Sequence, residues 1–206
     1  MIQKSGNRLV YTYDSEKLWI EPWGENALRI RSTKLSEMPC EDWALSEPAP
    51  AIQAEILIDA GKKTGSIRNG KIFATVSRGG KIVVCNQHGE ILLEEYQRTR
   101  SDEKDPKCCA IEIEAREFKG NPGGDYHLTL RFESKDPNEK IFGMGQYQQP
   151  YLNLKGMDLE LAQRNSQVTI PFMVSSRGYG LLWNNPAIGR AVLGCNIISF
   201  EAYATK

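Results

Sequence analysis

The chain has 206 residues in which 26 lysines and arginines balance 26 aspartates and glutamates, so no net field draws it to nucleic acid or to an anionic membrane. At this length roughly 70% of the unfolded surface can be buried, and nowhere is there the run of about 18 apolar residues that a membrane helix takes. Five cysteines, Cys40, Cys85, Cys108, Cys109 and Cys195, odd in number and without a Cys-x-x-Cys spacing, exclude a disulfide framework and a zinc site; with no apolar run in MIQKSGNRLVYTYD, they read as buried free thiols of a cytoplasmic protein.

Residues 8–13 (RLVYTY), 17–20 (KLWI) and 27–33 (ALRIRST) alternate apolar and polar side chains, which sets one row inward and the next outward as half-buried strands require. Between them, Glu-Pro-Trp-Gly-Glu at 21–25 reads as a turn, with Pro22 restricting the backbone and Gly24 free to take positive φ. Residues 36–51 are rich in Pro, Glu and Ala and read as an exposed loop, with a helical turn around Asp42 to Leu45 and Trp43 tucking the loop down. A sugar platform is the sharper alternative for Trp43.

From Ile52 the apolar runs return, cut by Arg-Asn-Gly-Lys, Arg-Gly-Gly-Lys and Gln-His-Gly-Glu, and the Asn-Gly and Gly-Gly pairs are hairpin signals. Strands about ten residues apart joined by tight turns build an antiparallel meander that closes as a sandwich. Gly79 and Gly80 lack the Lys-Ser/Thr pair and the following helix of a phosphate loop, so they read as a turn, as does the neighbourhood of His88.

A charged loop at 99–107 precedes two strictly alternating runs, AIEIEAREF at 110–118 and DYHLTLRFE at 125–133, which read as a hairpin. Ile111, Ile113 and Ala115 would share one face, as would Tyr126, Leu128, Leu130 and Phe132, leaving His127 in a polar row with Thr129 and Arg131. The final run, NIISFEAYATK, alternates as one more strand. The expected fold class is all-β, a large antiparallel sandwich with few or no helices, spanning residues 1–206 as one domain.

Between Ile141 and Cys195 the composition changes. Gln146, Gln148, Gln149, Gln163 and Gln167 lie among Tyr147, Tyr151, Tyr179 and Trp183, with Asn153, Asn165, Asn184 and Asn185 and the charges of Asp158, Glu160 and Arg164. Flat rings and uncharged amides suit a sugar, because pyranose C–H faces stack on rings and hydroxyls exchange donor and acceptor bonds with amides. Asp158 and Glu160, two apart on a strand, would point the same way and are a candidate carboxylate pair, although nothing around them reads as a barrel. Asn184-Asn185-Pro186 reads as a turn, and Phe172, Leu181 and Trp183 as core or interdomain packing.

The runs FGMGQYQQPYLNLKG and LELAQRNSQVTIPFMVSSRGYGLLWNNPAIGR resemble the end of the amino-terminal β-domain of glycoside hydrolase family 31, whose members are retaining α-glycosidases, α-glucosidases and α-xylosidases among them. The resemblance implies a galactose mutarotase-like supersandwich that packs beside a catalytic (β/α)8 barrel of the same polypeptide, beginning past Lys206. The family's two catalytic aspartates lie on barrel strands, and their Trp-x-Asp-x-x-Glu-like motif does not occur here, so no catalytic residue, cofactor or metal is expected in this chain. A family loop that reaches the active-site mouth falls at Leu161 to Gln167. It makes Gln163, Arg164 and Asn165 the candidate sugar contacts, against the alternative that Arg164 meets a barrel carboxylate and Asn165 caps a turn. Where many α-glucosidases carry an Asn-Thr-Asp-like run, this chain reads Arg-Asn-Ser, which is closer to the α-xylosidase side. The implied partners are the barrel and an α-linked oligosaccharide, with no nucleic acid or membrane and with a homo-oligomer left open. A free-standing carbohydrate-binding module and a mutarotase-like sugar-binding domain are the alternatives.

Overall fold

The computed structural model describes residues 1–40, 44–45, 53–100 and 106–206, and among them the chain forms seventeen antiparallel strands and no helix. They fall into two compact units, residues 1–94 and 95–205.

In the first unit β1 (Ile2–Ser5), β2 (Arg8–Tyr13), β3 (Glu16–Trp23) and β4 (Ala27–Thr33) form one sheet in chain order. A five-stranded meander, β5 (Glu55–Asp59), β6 (Thr64–Asn69), β7 (Ile72–Val76), β8 (Ile82–Asn86) and β9 (Ile91–Glu94), forms the other. Leu9, Tyr11, Leu18 and Ile20 from the first sheet and Ile67, Ala74, Val76, Ile82 and Val84 from the second share one buried cluster, the packing of two sheets face to face. The meander turns fall at Asn69-Gly70, Gly79-Gly80 and His88-Gly89, with Gly70, Gly80 and Gly89 at positive φ. The turn expected at 21–25 is shorter: β3 runs through Pro22, which pairs with Leu28. The pairing of β3 with β2 ends at Ile20, so the missing N–H of Pro22 costs no ladder bond on that side. The helical turn around Asp42 and the role of Trp43 lie outside the described residues.

In the second unit β10 (Arg116–Gly120), β11 (Tyr126–Glu133), β17 (Ile197–Thr205), β16 (Gly189–Leu193) and β13 (Asp158–Leu161) make a five-stranded sheet in that order. β12 (Ile141–Gln146), β14 (Val168–Ser175) and β15 (Tyr179–Leu182) make a three-stranded one. Its core draws on both, with Leu159, Leu161, Ala191, Leu193, Ile198 and Phe200 from the larger sheet and Ile141, Met144 and Met173 from the smaller.

The hairpin expected at 110–133 starts later, with Arg116 opposite Leu130. Ile113 instead exchanges both backbone hydrogen bonds with Arg98 at 2.9 Å, and Ile111 is 70% exposed, so the apolar alternation of 111–115 does not form one strand face. Cys85 is the buried thiol, whereas Cys40 and Cys195 are exposed and Cys108 and Cys109 half-buried; all five are free.

Candidate functional site

β13 alternates strictly, with Leu159 and Leu161 inward and Asp158 and Glu160 outward on one face. After Leu161 the chain leaves the sheet through buried Ala162 and turns back over Arg164-Asn165-Ser166-Gln167, where Arg164 and Gln167 bridge before β14 begins. Gln163, Arg164, Asn165 and Ser166 are all exposed at this turn.

Its footing is a set of hydrogen bonds centred on buried Thr169. The Thr169 hydroxyl donates to the Ala162 carbonyl at 2.8 Å, and the Tyr147 hydroxyl donates to the Glu160 carbonyl at 2.9 Å and lies 3.0 Å from the Thr169 oxygen. Burial pushes the Tyr147 phenol up, so it stays a neutral donor. The Gln163 amide accepts from the Thr169 N–H at 3.1 Å and donates to its carbonyl at 2.8 Å. One amide N–H and one lone pair of Gln163 are left over by these two bonds. Thus the structure brings Gln163, Arg164 and Asn165 together at one turn but engages Gln163 in holding it. The Asn165 side chain makes no hydrogen bond to the described residues.

Arg164 grips Glu160 with two nitrogens, Nε to Oε2 at 2.9 Å and an Nη to Oε1 at 2.5 Å. On the same face Arg190, directly opposite Glu160 in the register, grips Asp158 in the same two-pronged way, with Nε to Oδ1 at 2.7 Å. Arg164 holds the Glu160 carboxyl, and Arg190 the Asp158 carboxyl, below the usual carboxylate range. Glycoside hydrolysis needs one carboxyl that keeps its proton near neutral pH, and neither of these does. Farther along the sheet Glu201 lies 4.0 Å from Arg190 and 3.1 Å from His127, and the His127 ring meets Tyr203 at 5.2 Å. His127 therefore sits in the polar row its alternation implied. Among the described residues no group of three or more His, Cys, Asp or Glu converges as a metal site would require.

Two further features frame the turn. Val168, Ile170, Phe172 and Val174 on β14, with Leu182 on β15, are each between 41% and 54% exposed and form an open apolar face on the smaller sheet. Behind it, Glu139 is buried with Lys155 at 2.9 Å, Ser175 at 2.6 Å and Tyr179 at 2.8 Å, and Lys155 also donates to Ser134 at 2.6 Å. Burial raises the Glu139 carboxyl, but these three donors outweigh it and hold it below its ordinary range. Residues 134–139, Lys155, β14 and β15 are tied together by this one carboxylate.

The sequence pointed to the turn but not to what supports it. Tyr147 and Thr169 are 22 residues apart and no local pattern pairs them. Glu160 stands four residues before Arg164, but on a strand and turn that spacing carries no signal for the ion pair, which only the structure shows.

Comparison with known proteins bears on this geometry. The family model of the glycosyl hydrolase 31 N-terminal galactose mutarotase-like domain matches residues 17–190. An uncharacterized family 31 glucosidase of Pseudescherichia vulneris is 48% identical over 97% of this chain, which covers 39% of that relative. The alpha-xylosidase A of Aspergillus niger is 34% identical over 41% of this chain and 11% of its own. Among solved structures, a GH31 alpha-xylosidase from a soil metagenome, complexed with xylose, superposes with a TM-score of 0.93 at 45% identity, covering 99% of this chain and 31% of that one. The chain thus spans well under half the length of these relatives.

Proposed function

The chain belongs to glycosyl hydrolase family 31, as its N-terminal galactose mutarotase-like domain, and on that premise we propose that it is the noncatalytic β-domain of a retaining α-glycosidase of the α-xylosidase type. In this reading it packs on the catalytic barrel of a longer polypeptide and lends that barrel the turn at 161–167 as part of the sugar pocket. The observation that carries the reading is the turn itself: Arg164 and Asn165 stand exposed on a backbone that Tyr147, Thr169 and Gln163 hold in place. A braced turn with outward polar tips has little to do for its own domain, and its geometry is ready for a ligand.

Three things support the division of labour. Both carboxylates beside the turn are tied to arginines and held ionised, so they lack the proton donor that glycoside cleavage needs. The open face of β14 and β15 offers an apolar seat of the kind that domain packing covers. The metagenomic α-xylosidase holds xylose in its crystal structure, and a similarity covering 99% of this chain makes an α-xylosyl substrate the reading to test.

The test is kinetic. The chain alone is expected to release no aglycone from a chromogenic α-xyloside, and the complete enzyme containing it is expected to do so. In the complete enzyme Arg164→Ala removes charge-assisted hydrogen bonds worth about 1.5–3 kcal/mol and should raise KM about ten- to a hundredfold. Hydrolysis by the isolated chain, or a KM unchanged in both Arg164→Ala and Asn165→Ala, would overturn the proposal.

A further inference from the structure

The charge around the turn has a consequence for which sugars it accepts. An unaccompanied arginine at the mouth of a sugar pocket is a trap for anions, because its planar fork matches carboxylate, sulfonate and phosphate oxygens. Arg164 is not unaccompanied. Its Nε and one Nη are bonded to Glu160, and of its five N–H donors the two-pronged grip occupies two. The remaining donors can still reach a neutral hydroxyl, but the Arg164–Glu160 pair as a whole presents no net charge to an incoming ligand.

The arginine on the neighbouring strand is engaged as well. Arg190, across from Glu160, is engaged in the same way by Asp158 and lies within 4.0 Å of Glu201. Asp158 and Glu160 on β13 and Glu201 on β17 thus face Arg164 and, on β16, Arg190, and farther across the same face Arg131 is paired with Glu117 at 2.7 Å. With side chains 56% and 46% exposed, the Arg164–Glu160 pair contributes little to stability, so its effect lies in where charge is placed. Both backbones are held: the Glu160 carbonyl accepts from Tyr147, and Arg164 is bridged to Gln167.

We infer that Glu160 is a specificity-determining residue, a counter-charge that makes the Arg164–Glu160 pair a net-neutral hydrogen-bonding platform and so excludes glycosides bearing an acid group. This rests on the reading that Arg164 touches the sugar. Glu160 itself is a positioning residue that acts through the guanidinium it holds.

The experiment compares kcat/KM of the complete enzyme on a neutral α-xyloside and on the α-glucuronide of the same aglycone, which adds a carboxylate to the ring. Glu160→Gln keeps the shape and removes the charge. It should raise the glucuronide-to-xyloside ratio about tenfold or more at low ionic strength, with the gain shrinking in high salt as exposed charges are screened. Glu160→Ala, which removes the charge without leaving an amide, should move the ratio the same way and serves if the glutamine variant does not fold. A ratio within twofold of the parent in a folded variant overturns the inference. Arg164→Ala separates the two levels: an unchanged KM for the xyloside sinks both the contact and the counter-charge. A raised KM beside an unmoved ratio in the Glu160 variants sinks the counter-charge alone.

Discussion

Three consecutive residues at the start of the informative stretch, Gly143, Met144 and Gly145, have φ of 96°, 66° and 97°, a conformation L side chains rarely adopt. They form a bulge where the register of β12 against β14 shifts. A Cβ on Gly145 would stand 2.2 Å from the Val168 carbonyl oxygen, and one on Gly143 2.5 Å from that of Phe172. The bulge turns Met144 fully into the core. The two glycines of the Phe-Gly-x-Gly-Gln motif that marks the resemblance are thus explained by backbone geometry. Gly145→Ala is expected to cost well over about 1 kcal/mol in urea denaturation, since both φ and close approach forbid the methyl. A midpoint equal to the parent's would contradict the strain. At this scale the sequence was only partly legible. Arg164 and Asn165 stood out as exposed amide and fork chemistry, but the engagement of Gln163 with Thr169 depends on a backbone fold that no residue pattern announces.

Elements were legible where turn chemistry spoke. Asn69-Gly70 and Gly79-Gly80 placed the meander, because the tight turns there need φ > 0, which Gly70 and Gly80 supply freely. β1 was missed because four residues with burial falling from half-buried to exposed give no alternation to read. The start of β10 was misplaced because Ile111 and Ile113 alternate as strand residues do, whereas Ile113 pairs with Arg98 and Ile111 stays exposed. β14 shows the reverse case: its inward row is Thr169, Pro171, Met173 and Ser175, and its outward row is the more aliphatic one. Such inversion has a reason if the outward row meets another protein surface. The isolated chain is therefore expected to self-associate with rising concentration in sedimentation analysis, and Ile170→Thr with Val174→Thr should reduce that association while keeping β-branched residues in the strand. A parent chain that stays monomeric throughout, or an association indifferent to both substitutions, would contradict the role of this face.

At the scale of the whole molecule, an all-β antiparallel architecture was legible from alternation, turn spacing and the absence of helical periodicity, and the family match over residues 17–190 agrees with it. Family membership was legible from the last third of the chain, where glycine geometry and a braced turn leave few alternatives. Specificity was less so, because hydrophobic alternation reports burial and says nothing of which ions pair across strands. The central claim is that the turn at 161–167 belongs to a sugar pocket completed elsewhere in a longer polypeptide. A crystal structure of the complete enzyme with an uncleaved α-xyloside tests it most directly. The account predicts the Arg164 guanidinium or the Asn165 amide within hydrogen-bond distance of a sugar hydroxyl, with the β14 face covered. A sugar held without either side chain, and a turn that faces open solvent, would contradict it.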